Sequence, residues 1–184
     1  MTLTKQNIDA LLALCQDGNQ MAQLEVYNRY QKAMYNTALR IVKDTAEAED
    51  IMQEGFITAF SKLDSFKGTA TFGSWLKRIV INKSIVQYRK SQRFIQVSED
   101  YIKDESDDDL ERANDDHTQV RTQQLLECMN GLTESYRNIL SLHFIEGYDY
   151  EEICEVLEIS YANCRTMISR AKDSLRKKLI TVEI

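Results

Sequence analysis

Residues 147–179 read GYDYEEICEVLEISYANCRTMISRAKDSLRKKL. Asp149 followed three places later by Glu152 forms a capping pair, and it opens a short amphipathic run carrying Ile153, Val156 and Leu157. Glu158, Ile159 and Ser160 interrupt that run. Ser160 is placed to cap a longer one, whose inner side is Cys164, Ile168, Ala171, Leu175 and Leu179 at helical spacing. Short helix, tight turn and long helix make a helix-turn-helix. Six basic residues stand against one acid between Ser160 and Lys178, so the second helix has the sign needed to enter a major groove. It would enter N-terminus first, which puts Tyr161, Ala162, Asn163, Arg165 and Thr166 within reach of base edges. Ser169, Arg170 and Lys172 come a turn later and suit phosphates. Upstream, Thr133 can cap a helix bearing Tyr136, Ile139, Leu140 and Phe144, with Gly147 placed to end it. His143 lies four residues after Ile139 and reads as structural.

Composition fits this helical reading along the whole chain. Among 184 residues there is no Pro and only 6 Gly, too few turn formers for a sandwich or barrel, so the expected class is all-α. No apolar run approaches the ~18 residues of a spanning helix, and the N-terminus lacks a basic start and a small-residue cleavage site. The chain is expected to stay in the cytoplasm without membrane insertion.

The net charge of −6 is a cancellation between blocks. Counting Lys and Arg against Asp and Glu gives −3 for residues 1–64, +7 for 65–98, −8 for 99–116, −6 for 117–159 and +4 for 160–184. The total therefore does not exclude nucleic acid as a partner. The most acidic block lacks apolar periodicity and reads as a flexible linker, which divides the chain into an N-terminal domain (1–95), a linker (96–118) and a C-terminal domain (119–184). Its carboxylates are either a solvated tether or a mimic of a nucleic-acid backbone.

In the N-terminal part, Leu24, Tyr27, Tyr30, Met34, Tyr35, Ala38, Ile41 and Val42 recur at helical spacing. Asp44 and Glu47 then cap a helix with Ala48, Met52, Phe56, Ala59, Phe60 and Leu63 on its inner side. Its other side shows Asp50, Gln53, Glu54 and Ile57. That stripe is either a solvated face or a docking surface, and Gly55 within it suggests close approach by another surface.

Residues 65–98 hold seven Lys or Arg and no acid. A loop precedes a helix from about 72 to 93, with Phe72, Trp75, Leu76, Ile79 and Val80 as its core. On that helix Arg78, Asn82, Arg89 and Arg93 keep within a sector of about 60°. Three guanidiniums around one Asn suit phosphate contact with one base-edge reader.

Cys15, Cys128, Cys154 and Cys164 have no metal-ligand spacing, and His117 and His143 form no cluster. All four thiols are expected to be buried. No metal, cofactor or catalytic group is expected, because no phosphate loop or nucleophile with a base appears.

Three segments in order resemble the bacterial sigma factors of the extracytoplasmic-function type. Residues 46–68, AEAEDIMQEGFITAFSKLDSFKG, are similar to the family's D-A-E-D-L-x-Q-E-x-F helix and following loop. FGSWLKRIVINKSIVQYRK (72–90) looks like its F-x-x-W-L-x-x-I-x-x-N helix, and residues 147–179 look like its helix-turn-helix. The resemblance implies two helical DNA-binding domains that direct core RNA polymerase to promoters and help open them. It also implies an anti-sigma factor as partner. Asp50, Gln53, Glu54 and Ile57 would dock on the polymerase. Arg78, Asn82, Arg89 and Arg93 would hold the promoter element near the start site, together with a loop in which Ser65, Phe66, Lys67 and Gly68 accept an extruded base. The C-terminal helix, through Tyr161, Ala162, Asn163, Arg165, Thr166, Ser169 and Arg170, would read the distal element as duplex. The alternative is a stand-alone helix-turn-helix repressor or activator with an N-terminal sensor or oligomerisation domain. Two departures stand out. Glu158 replaces the usual turn glycine, which predicts a distorted or different turn, and Met167 stands where Arg often meets a phosphate.

Overall fold

A computed structural model describes residues 3–97 and 116–182, and the side chains of residues 3–91 and 121–181. The linker expected at 96–118 falls almost wholly outside the described residues. The chain divides into two units, Met1–Ser98 and Glu99–Ile184. The described residues are helical, as the composition requires, and include no strand.

The N-terminal unit contains α1 (Ile8–Gln16), α2 (Gln20–Val42), α3 (Thr45–Ser61) and α4 (Phe72–Val97). Its helices start where short polar side chains take up orphan amides. Asn7 Oδ1 accepts from the Ala10 N–H at 2.8 Å, Asn19 Oδ1 from Ala22 at 3.1 Å, and Asp44 Oδ1 from Glu47 at 2.8 Å. Leu11, Val26, Met34, Ala38, Met52, Phe56, Phe72, Leu76 and Val80 form one core. Each large side chain buried this way contributes about 1.5–3 kcal/mol. Leu24, expected on the inner side of α2, is exposed. At 100° per residue it lies well outside the arc that holds Val26, Met34, Thr37 and Ile41.

Gly55 has a different reason from the one its exposed neighbours suggested. It is buried, and a Cβ there would lie 2.7 Å from Val80 Cγ2. The surface approaching it is α4 of the same unit. Gly55→Val is therefore expected to cost about 1–3 kcal/mol through overpacking, and less in a Val80→Ala background where the struck methyl is gone. Urea unfolding of the three variants checks this.

The C-terminal unit contains α5 (Asp116–Asn130), α6 (Glu134–Leu140), α7 (Tyr150–Leu157) and α8 (Tyr161–Val182). Thr133 occupies the position before α6, but its hydroxyl makes no capping bond. Its carbonyl accepts from Arg137 N–H at 2.9 Å. After Leu140 the chain makes one wide turn of π-helix, Ser141–Ile145. The wide turn moves the following side chains out of α-helical phase. Leu142 is buried in place of Phe144, which is 55% exposed although its spacing from Leu140 had placed it in the core.

Asp149 and Glu152 form a complete capping box on α7. Asp149 Oδ1 accepts from Glu152 N–H at 2.8 Å, and Asp149 N–H donates to Glu152 Oε2 at 3.1 Å. Glu158 keeps the turn of a glycine, with φ 51° and ψ 46° in the left-handed region. The turn is retained and the side chain carries the strain, about 1–2 kcal/mol. A β-branched side chain fits that backbone worse, so Glu158→Val should lower stability by about a further 1 kcal/mol. Hydrogen exchange of α7 and α8 amides in the full chain reads it. Ser160 Oγ accepts from Asn163 N–H at 3.3 Å and starts α8, whose buried side is Cys164, Ile168, Ala171 and Leu175.

Cys15, Cys128 and Cys164 are buried, while Cys154 is half-buried, correcting the expectation of four buried thiols. Burial pushes the Cys164 thiol up to about 11, helped by the neighbouring Cys154, and keeps it neutral in the core.

Candidate polymerase and nucleic-acid interfaces

On α3, Asp50, Gln53, Glu54 and Ile57 are all exposed and share an arc of about 100°. Ile57 is 69% exposed, an apolar side chain in a polar setting. Gln53 Nε2 donates to Glu49 Oε1 at 3.2 Å, along the same helix.

On α4, Arg78 and Asn82 are exposed and Arg89 is half-buried. Arg93 has its side chain outside the described residues. The acid-free character of this segment holds along the sequence but not in space, because α3 runs beside it. Lys83 Nζ lies 3.1 Å from Glu54 Oε2, and Gln87 Nε2 donates to Glu47 Oε1 at 2.9 Å. These pairs run in opposite directions along the two helices, so α3 and α4 are antiparallel and their polar edges meet at a seam. Val86, which the sequence reading passed over, is 60% exposed and lies at the edge of the sector holding Arg78 and Asn82. Nothing in its spacing distinguished it from a core valine.

The loop between α3 and α4 is held by aromatic packing. Phe66 is half-buried, with its ring 5.8 Å from Phe72 and 5.3 Å from Trp75. Ser65 Oγ donates to the Lys62 carbonyl at 2.6 Å, so that hydroxyl closes the end of α3. Lys67 and Gly68 are exposed, and Gly68 has φ +67°, a backbone that suits glycine.

On α8, Tyr161, Ala162, Asn163, Arg165, Thr166, Ser169 and Arg170 are all exposed, while Cys164 and Ile168 between them are buried. One helix thus anchors itself and presents seven predicted contacts outward. Thr166 Oγ1 donates to the Ala162 carbonyl at 2.8 Å, which leaves its methyl and the acceptor side of its hydroxyl to meet a ligand. Lys172 Nζ sits 5.2 Å from the Phe144 ring centroid. Among the described residues no group of His, Cys, Asp and Glu could hold a metal ion.

Family models match both units: Sigma-70 region 2 over residues 26–94 and Sigma-70 region 4 over residues 122–175. The RNA polymerase sigma-H factor of Pseudomonas aeruginosa is 30% identical over 185 residues, covering 96% of this chain and 96% of that protein. The chain is a sigma factor of the extracytoplasmic-function type. SigW of Bacillus subtilis, an ECF RNA polymerase sigma factor, is 29% identical, covering 88% of this chain and 91% of its own. Two solved structures share the fold. The sigma factor RpoE of Bartonella quintana, in complex with the anti-sigma factor NepR, has a TM-score of 0.57 at 23% identity, covering 84% of this chain and 94% of that one. CnrH, in complex with the cytosolic domain of CnrY, has a TM-score of 0.54 at 24% identity, covering 95% and 99%. As a sigma factor the chain partners core RNA polymerase and promoter DNA and directs transcription initiation. Region 2 spans α2 to α4, with α1 ahead of the match, and region 4 spans most of α5 to α8. Among the described residues no helix is long and apolar enough to cross a membrane.

Proposed function

We propose that the sigma factor divides its work by surface. In residues 1–95, Asp50, Gln53, Glu54 and Ile57 dock on core polymerase. Arg78, Asn82, Arg89 and Arg93 hold the start-proximal promoter element, and the loop of Ser65, Phe66, Lys67 and Gly68 receives an unstacked base. In residues 119–184, the outward side of α8 reads the distal element through Tyr161, Ala162, Asn163, Arg165, Thr166, Ser169 and Arg170. The acidic segment 96–118 tethers the two. What supports this reading is that Asp50, Gln53, Glu54 and Ile57 on α3, Arg78 and Asn82 on α4, and the seven named residues of α8 are exposed on helices whose other side is buried.

The physical logic is a division between positioning and reading. Cations on α4 fix the backbone, and unstacking one base costs a few kcal/mol that those phosphate contacts offset. The protein contributes no catalysis, since bond formation belongs to the polymerase. It acts in the cytoplasm, with an anti-sigma factor as a further partner. Run-off transcription with core polymerase tests the reading. Promoter-dependent transcripts are expected only when the protein is added, and their absence on every promoter selected from a random library would overturn it.

A further inference from the structure

The C-terminal unit holds a ladder of aromatic rings of which the roles above use only the last, Tyr161. The Phe144 ring lies 5.0 Å from the His143 imidazole, His143 meets Tyr150 edge-on at 5.3 Å, and Tyr150 meets Tyr161 at 6.0 Å. The lower end is fixed twice. The wide turn Ser141–Ile145 sets the direction of Phe144 and His143, and His143 Nδ1 lies 3.0 Å from the Tyr148 carbonyl oxygen, a bond made by an Nδ1–H. The upper end is the first residue of α8, where Tyr161 is 51% exposed. Its ring therefore has Tyr150 beside it, while about half of the residue's surface stays open.

A tyrosine alone on a helix surface samples several rotamers, and an aromatic neighbour at this distance narrows the choice. A braced ring at the leading end of a recognition helix offers apolar surface to the major groove. There the base edges are hydrogen-bonding groups with one apolar exception, the C5-methyl of thymine. Asn163 and Arg165, exposed on the same helix, have polar partners to find; Tyr161 has the methyl.

We propose that Tyr161 reads a thymine methyl in the distal promoter element, and that Tyr150, backed by His143, is the positioning residue that holds the ring for it. This rests on the reading that α8 enters the major groove.

The test uses holoenzyme assembled from the full chain and core polymerase, on a promoter selected from a random library. Each thymine of its distal element is replaced in turn by deoxyuridine, which removes the methyl and nothing else. With the unaltered protein, one position should lower initiation about three- to fivefold. Tyr161→Ala should abolish that sensitivity and Tyr161→Phe keep it. Tyr150→Leu should lose it and Tyr150→Phe retain it. Because each variant is read as its own ratio of thymine to deoxyuridine template, a lower yield of folded protein cancels. A distal element without thymine, no sensitive position, or sensitivity unchanged in Tyr161→Ala overturns the reader. Sensitivity unchanged in Tyr150→Leu overturns the positioning role. If the unaltered holoenzyme gives no promoter-dependent transcript, the parent reading fails and this one with it; normal initiation without methyl sensitivity fails this one alone.

Discussion

Arg78→Glu combined with Arg89→Glu is expected to abolish promoter opening while capture by core polymerase survives. Both arginines lie on α4 within about 20° of each other around the helix, so a strand that meets one meets the other. Each phosphate contact carries one released counterion, and losing two should reduce the slope of log affinity against log salt by about 2. Reversal adds repulsion to that loss, and holoenzyme affinity for promoter DNA should fall by about two orders of magnitude or more at physiological salt. The N-terminal unit should still fold, because neither residue belongs to the core of Phe72, Leu76 and Val80. Permanganate reactivity of promoter thymines reports opening, and co-elution with core polymerase reports docking. Loss of both together would mean that the docking and promoter surfaces have been wrongly divided.

The helices that present these residues were largely legible in the sequence, because the features that specify them are local. Asp149, Glu152 and Ser160 announce helix starts within three residues of the amides they cap, and the spacing of Cys164, Ile168, Ala171 and Leu175 specifies one buried side. The same logic placed Asp50, Gln53, Glu54 and Ile57 outward. What escaped the reading depends on partners far along the chain or on backbone choices without a side-chain signature. The Lys83–Glu54 pair spans 29 positions, and only the packing of α3 on α4 creates it. Gly55 was read as a sign of an outside partner because Val80, its actual neighbour, lies 25 residues away. The wide turn at Ser141–Ile145 adds a residue to a helical turn without any Gly or Pro inside it to announce it, and Phe144 within that turn is exposed. Glu158 shows the converse. The sequence predicted a cost and hence another turn, yet capped helices on both sides hold the left-handed backbone in place.

The seam between α3 and α4 decides how the docking surface should be probed. Glu54 is the obvious target, but it lies 3.1 Å from Lys83 on α4, so reversing it would disturb both helices at once. Asp50→Lys combined with Ile57→Asp avoids that seam. Ile57 is exposed in the free protein, and burying it against a partner contributes about 1.5–3 kcal/mol. Placing a carboxylate there removes that gain and adds a desolvation cost, while reversal at Asp50 turns an attraction into repulsion. Affinity for core polymerase should fall at least about a hundredfold, measured by competition against the unaltered protein for limiting polymerase. The C-terminal unit's affinity for duplex promoter DNA should stay unchanged, because α8 belongs to that unit and shares no residue with α3. If polymerase capture persisted with both changes, the exposed arc of α3 would be an ordinary solvated face, and docking would have to be carried elsewhere on the chain.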